Sequence, residues 1–259
     1  MGILNITPDS FSDGGKYFDK DIQMQMIIVD AVRMEREGAD FIDVGGESTR
    51  PGSQKVSAEE EIKRVIPVIT EIKKHLSIPI SIDTYKHEVA EEALKAGAVI
   101  VNDISGFQYD DKIADVTKKY NASCILMHIK GTPKEMQDNP VYDDVIAEIK
   151  EYLRISISKA KQAGIEQIIV DPGIGFGKTF EHNIEIIKRL NEFKSLGYPL
   201  LLGLSKKRFI NDIYESIPDE RTEGTMASNT VGILNGANIL RVHNVLENKR
   251  IALTADVLK

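Results

Sequence analysis

Eight short apolar runs recur along the chain, and most end in a polar residue. They read GILNI around Asn5, FIDVGGE with Asp43 to Glu47, IPISID at Asp83, VIVND at Asn102 and Asp103, CILMH at His128, IIVD at Asp171, LLLGLSKK at Ser205 to Lys207, and NILRVH at Arg241 to His243. A charged stretch of helical periodicity separates consecutive runs, so strand and helix alternate eight times. That alternation predicts an α/β fold, a parallel (β/α)8 TIM barrel. Such a barrel takes about 250 residues, so the 259 residues predict one domain over 1–259 with no internal boundary. The C-terminal strand ends of a parallel barrel share one face, where its active sites sit. The polar residues that close the runs are therefore the candidate site.

The helices are written differently from the strands. Ser57 and Glu60 stand at capping-box spacing, and Ile62, Val65, Ile66, Ile69 and Ile72 then repeat at three- and four-residue steps. Pro67 inside that stripe predicts a kink or a lost hydrogen bond. Runs such as Ile78 to Ile82 are dense in β-branched residues without clean alternation, as strands covered on both faces are. The connections 7–20, 45–56 and 129–143 exceed a bare strand-to-helix turn and fall on the expected active-site face. Connections of this length are usually lids or disordered excursions, and the composition of the first two favours loops that order on a ligand over plain surface loops.

A net charge of −7 argues against nucleic acid or an anionic membrane as partner, though not against a small anion held locally. No apolar run approaches the roughly 20 residues of a membrane span. With no signal region and one cysteine, Cys124, expected buried in a strand, the composition points to a cytoplasmic enzyme.

Motifs narrow the chemistry. VDPGIGFGK at 170–178 resembles a phosphate loop, but Pro172 stands where a Walker A motif needs glycine. The plain reading is a tight turn whose glycines take positive φ. Asp83, Asn102 and Asp171 close the third, fourth and sixth runs, and could together grip a heterocycle with amino and ring N–H groups beside carbonyls, as a pterin has. Each alone could equally be a structural hydrogen-bonding residue. Lys206, Lys207 and Arg208 follow the seventh run, and Arg241 and His243 the eighth, where barrels often bind phosphate. Lys207, Arg241 and His243 read as anion or substrate ligands, whereas Lys206 and Arg208 stay divided between that role and solvated charge. His75, His87 and His182 read as exposed on outer helices, and His128 as either a site or a structural residue. No spacing suggests zinc. Mg²⁺ held by one amide oxygen, such as that of Asn5, and by substrate phosphates needs no such cluster.

GILNITPDSFSDGG at 2–15, GADFIDVGGESTRPG at 38–52, SIDTYK at 81–86, NDISG at 102–106, DPGIGFGK at 171–178, GLSKKRF at 203–209 and RVHNV at 241–245 together resemble the dihydropteroate synthase family of pterin-binding enzymes, end to end and in order. The resemblance implies condensation of 6-hydroxymethyl-7,8-dihydropterin diphosphate with 4-aminobenzoate, releasing diphosphate, in folate biosynthesis. It implies Mg²⁺ at Asn5, pterin at Asp83, Asn102, Asp171 and Lys207, and diphosphate at Asn5, Arg241 and His243. Of these, Asp83, Asp171, Lys207, Arg241 and His243 form the implied catalytic set. Phe11 and Asp13 of the first loop, Ser48, Thr49, Arg50 and Pro51 of the second, and Arg208 would meet aminobenzoate. It further implies a homodimer and a sulfonamide target. Two residues depart from the common pattern: Arg208 stands where many members have serine, and Asn244 where aspartate is common.

Three rivals stay open at this level. A methyltransferase-type pterin barrel would not need the STRPG loop or the cationic strand ends. A Schiff-base aldolase would use Lys207 as nucleophile. A non-catalytic pterin-binding protein would not need both closing loops.

Overall fold

The computed structural model describes residues 1–7, 20–50 and 52–259. Eight strands and nine helices follow in order among these residues: β1 (Gly2–Asn5), α1 (Lys20–Arg36), β2 (Ile42–Gly45), α2 (Ala58–Ile72), β3 (Ile80–Asp83), α3 (His87–Ala96), β4 (Ile100–Asp103), α4 (Ile113–Lys119), β5 (Ser123–Met127), α5 (Val145–Gln162), β6 (Ile168–Asp171), α6 (Phe180–Lys188), β7 (Leu201–Leu202), α7 (Arg208–Asn211), α8 (Thr222–Leu234), β8 (Ile239–Leu240) and α9 (Val245–Leu258). Strands β1 to β6 form one parallel sheet in sequence order, and β7 pairs with β8. Parallel bridges Val170↔Leu200 and Gly2↔Val242 join the two sheets at both edges. With the Val170 N–H to Pro199 O and Ile3 N–H to Val242 O bonds, both 3.0 Å, the ring is closed. This is the eight-fold barrel the alternation predicts.

Side-chain direction alternates along each strand, and the alternation sorts the ring into layers. Leu4, Ile42, Val44, Ile80, Ile82, Val101, Cys124, Leu126, Ile168, Val170 and Leu202 pack outward into the core shared with the helices. Facing inward, Met1, Phe41, Ile100, Ile125, Ile169, Leu201 and Ile239 make a separate apolar cluster, the floor of the barrel. Two residues further along, the same strands present Asp43, Asn102, Met127, Asp171, Gly203 and Arg241. One pleat step thus takes the interior from hydrocarbon to hydrogen-bonding groups.

At Pro67 the chain shows the lost hydrogen bond, and the capping box is only partly made. Helix α2 runs continuously through Pro67, with Val65, Val68, Ile69 and Ile72 buried. Its packed face holds the helix together where one backbone donor is missing. Only half of the capping box forms: Ser57 Oγ accepts from Glu60 N–H at 3.2 Å, while the Glu60 carboxylate turns to Arg64 Nε at 3.1 Å.

The glycines of the turn after β6 all have positive φ, and Gly173 is the most confined, since a Cβ there would lie 1.9 Å from His128 O. Gly173→Ala should destabilise by about 3 kcal/mol or more, combining left-handed strain with overpacking. Gly175→Ala, whose Cβ would meet nothing nearer than 3.4 Å, should cost only about 1–2 kcal/mol. Urea unfolding of the two variants checks the ranking, and equal losses would refute it.

Candidate active site

On the second inward layer Arg241, just past β8, reaches across the barrel. Its Nε donates to Asp43 Oδ2 and its Nη2 to Asp83 Oδ2, both at 2.6 Å. Asn102 Nδ2 also donates to Asp43 Oδ2, at 3.0 Å. Asp43 is fully buried, and an ion there is tolerated only when paired and hydrogen-bonded. Burial pushes the Asp83 carboxyl above its ordinary range, against the pull of Arg241. Burial works against the Arg241 charge too, but Asp43 and Asp83 hold its guanidinium firmly protonated. A Cβ on Gly45 would lie 3.5 Å from Asp83 Oδ2 and 3.7 Å from Asn5 Oδ1. The amide of Asn5 and the Asp83 carboxylate therefore border the same small gap.

Asp171 and Lys207 occupy the opposite side. Asp171 Oδ1 accepts from Gly173 N–H at 2.7 Å, and its carboxyl is raised by burial against the pull of Lys207. Lys207 caps α7, following a turn in which Lys206 takes φ 58°. Its Nζ donates to Ile174 O and lies 4.8 Å from the Phe176 ring centroid. Burial pulls the Lys207 ammonium down to about 8, with Asp171 opposing. A Cβ on Gly203 would stand 3.9 Å from Lys207 Nζ and 4.0 Å from Arg241 Cβ. That glycine is the open ground between the two cations.

His243 adds a donor rather than a charge. Burial first, then Arg241, Lys206 and Arg50, lower its pKa to about 4, so the ring is neutral at physiological pH. Ser205 Oγ accepts from His243 N–H at 3.1 Å and lies 2.9 Å from His243 Nδ1. The Ser205 hydroxyl keeps both its proton and a second lone pair for Nδ1, so either neutral tautomer satisfies this contact, and the Nε2–H form is the one that offers a donor away from Ser205. The dependence on Arg50 puts the second loop near this end of the site.

The candidates divide accordingly. Asn5, Asp83, Asn102, Asp171, Lys207, Arg241 and His243 converge on the mouth. Arg208 does not join them: its side chain is 86% exposed and its Nε stands 3.9 Å from Asp212 Oδ1. Lys206 pairs with Asp219 at 2.7 Å. Ser48 and Thr49 are half-buried and Arg50 is exposed, while Phe11, Asp13 and Pro51 lie outside the described residues.

Three features escaped the reading by motif. Asp43, the anchor of Arg241, sits inside an apolar run instead of at its end, and a charge in such a place is itself the signal. Glu47, Glu61 and Lys86 form a buried ion cluster across three segments. Lys178 Nζ, almost fully buried, lies 2.8 Å from His128 Nδ1, and burial drives both groups well below their usual pKa. Of the histidines expected to be exposed, only His75 is. His87 and His182 are half-buried, because His87 Nδ1 pairs with Asp110 at 2.7 Å and His182 Nδ1 accepts Thr179 N–H at 3.2 Å.

The family model described as pterin binding enzyme matches residues 1–243. A dihydropteroate synthase of Clostridium beijerinckii is 50% identical over 261 residues, covering 100% of this chain and 93% of the relative. A crystal structure of the Clostridium difficile dihydropteroate synthase in the presence of pteroic acid superposes with TM-score 0.92 at 48% identity, covering 99% of this chain and 95% of that one. The Xanthomonas albilineans dihydropteroate synthase with 4-aminobenzoic acid superposes with TM-score 0.91 at 38% identity, covering 99% and 91%.

Proposed function

The chain belongs to the pterin-binding enzyme family, and we infer from that premise that it catalyses the dihydropteroate synthase reaction. It transfers the dihydropterinylmethyl group from 6-hydroxymethyl-7,8-dihydropterin diphosphate to 4-aminobenzoate and releases diphosphate, a step of folate biosynthesis. The observation that carries this is a full-length likeness to dihydropteroate synthases on a barrel whose mouth sets carboxylates and an amide beside two cations.

Each role follows from bonding capacity. The carboxylates of Asp83 and Asp171 accept N–H groups of the pterin, Asn102 offers both an acceptor and a donor, and Lys207 donates to the ring carbonyl. For the pterin to reach Asp83, Arg241 gives up its Nη2 bond there while Asp43 keeps Nε. The freed Nη2 and the Nε2–H of His243 then face the diphosphate. As the C–O bond breaks, its electron pair leaves with the diphosphate oxygen, and these donors stabilise the growing charge. The methylene cation left behind is conjugated with the ring, and the Asp83 and Asp171 charges stabilise it. The arylamine nitrogen then forms the C–N bond and gives its proton to solvent. Ser48, Thr49, Arg50 and Pro51, with Phe11 and Asp13, serve the aminobenzoate side, and Arg208, turned to solvent on α7, stays outside it.

The donor chemistry suits Mg²⁺ carried mainly by the diphosphate. Asn5 would supply one hard amide oxygen, Arg241 engages the Oδ2 atoms of Asp43 and Asp83, and Mg²⁺ commonly keeps waters and substrate phosphates as its other ligands. Bound at Asn5, the ion would add positive charge at the departing oxygens. The chain works as one cytoplasmic domain and pairs as a homodimer with a whole site in each subunit. No described helix is long and apolar enough to cross a membrane. Exposed Val231, Leu234, Leu253 and Val257 on α8 and α9 offer apolar surface for a second copy.

Diphosphate release should require both organic substrates and yield dihydropteroate, and chelating Mg²⁺ should slow it about 100-fold or more. An unaltered rate after chelation would refute the magnesium role. Tight pterin binding without turnover would favour a binding protein or a methyltransferase.

A further inference from the structure

Glu47 follows β2 by two residues and is almost surrounded. Its Oε2 accepts from Lys86 Nζ, and its Oε1 accepts from Tyr85 Oη at 3.0 Å and from Val56 N–H at 3.2 Å. Lys86 also donates to Glu61 Oε2 at 2.5 Å, and Glu61 is 1% exposed. Two carboxylates thus share one ammonium. Arg64 does not correct the imbalance, because it donates to Gly46 O and Glu60. Glu61 alone would neutralise Lys86, and a surplus carboxylate in a buried site costs stability. Burial raises the Glu61 carboxyl despite Lys86, as such crowding requires. Charge balance calls for one of the two carboxylates and does not by itself single out Glu47.

Its other bonds do. Val56 precedes the α2 cap Ser57, so the carboxylate ties together the two ends of the loop carrying Ser48, Thr49 and Arg50. Through Tyr85 and Lys86 it also fastens that loop to the segment after β3, two and three residues beyond Asp83. Further out, Gly52 N–H donates to Pro133 O at 3.2 Å, so the loop leans on the connection after β5. Fixing both ends of a loop reduces the conformations it must give up when it closes on a ligand.

We propose that Glu47 is a positioning residue for the second substrate, holding both feet of the Ser48–Arg50 loop in register with the pterin strand ends. The role rests on the reading that this loop meets aminobenzoate. Glu47→Ala should raise the KM for aminobenzoate about tenfold with little change in kcat. Equilibrium binding of the dihydropterin diphosphate should stay within about twofold. Glu47→Gln keeps an Oε1 acceptor for Val56 and Tyr85 and should recover most of the loss. Thermal stability of Glu47→Ala should hold or rise, because Lys86 and Glu61 remain paired. An unchanged aminobenzoate KM, an equal loss for both substrates, or no difference between the two variants overturns the proposal. So does a Glu47→Ala chain that does not fold while Tyr85→Phe, which removes one bond to the carboxylate, leaves the aminobenzoate KM unmoved. A native chain that binds both substrates but forms no dihydropteroate overturns the reaction reading instead.

Discussion

Arg241→Met is expected to lose about 3–5 kcal/mol of stability, because breaking a buried ion pair from one side leaves charge uncompensated, and to leave almost no turnover. One guanidinium serves two carboxylates here, and Asp43, fully buried, would keep only the Asn102 amide as a hydrogen-bonding partner. Activity should suffer separately, since on the proposed function Arg241 is the cation that meets the diphosphate. Removing one preorganised donor of this kind costs about 10²–10³ in rate. The two effects can be parted. Adding Asp43→Asn to Arg241→Met removes the stranded charge and should restore about half of the lost stability while restoring no activity. Urea unfolding beside diphosphate release measures both, and a stability loss below about 1 kcal/mol would mean the pair is solvated.

Lys207→Ala should lower kcat/KM by about 10²–10³, and the pH profile should identify the cause. The ammonium of Lys207 titrates near 8, depressed by burial, so pterin affinity should decline as pH rises through about 8. Linkage fixes the sign for stability. Below the native pKa the folded protein carries a buried ammonium at a cost, and this is relieved as pH rises from about 8 toward the ordinary lysine value of 10.5. That group's contribution is therefore present above the upper value and lost as pH falls through the lower. Lys207→Ala should abolish both limbs. A surviving alkaline decline in pterin affinity would assign it elsewhere.

Much of this was written in the order of the residues. Local periodicity specifies the strand and helix alternation, and a parallel ring places every strand's end on one face. Asp83, Asn102, Asp171 and Arg241 are therefore gathered by topology alone. Properties that depend on depth were not legible. His243 reads as a cation by type, yet burial and three neighbouring positive charges make it neutral. Arg208 shares a motif with Lys207, but its position on the first turn of α7 turns it to solvent. Asp43 needed the inward pleat as well as the run that contains it. The cluster of Glu47, Glu61 and Lys86 joins segments 14 to 39 residues apart, beyond any local spacing rule.

The apolar floor also governs traffic. Met1, Phe41, Ile100, Ile125, Ile169, Leu201 and Ile239 close the barrel below the polar layer, so the interior is a blind well. Whatever reaches Asn102 or Asp171 enters and departs by the mouth, and a molecule seated above bars the exit of one seated below. An inhibitor of the lower position would be trapped by an occupant of the upper one, so its residence time should lengthen when both are filled.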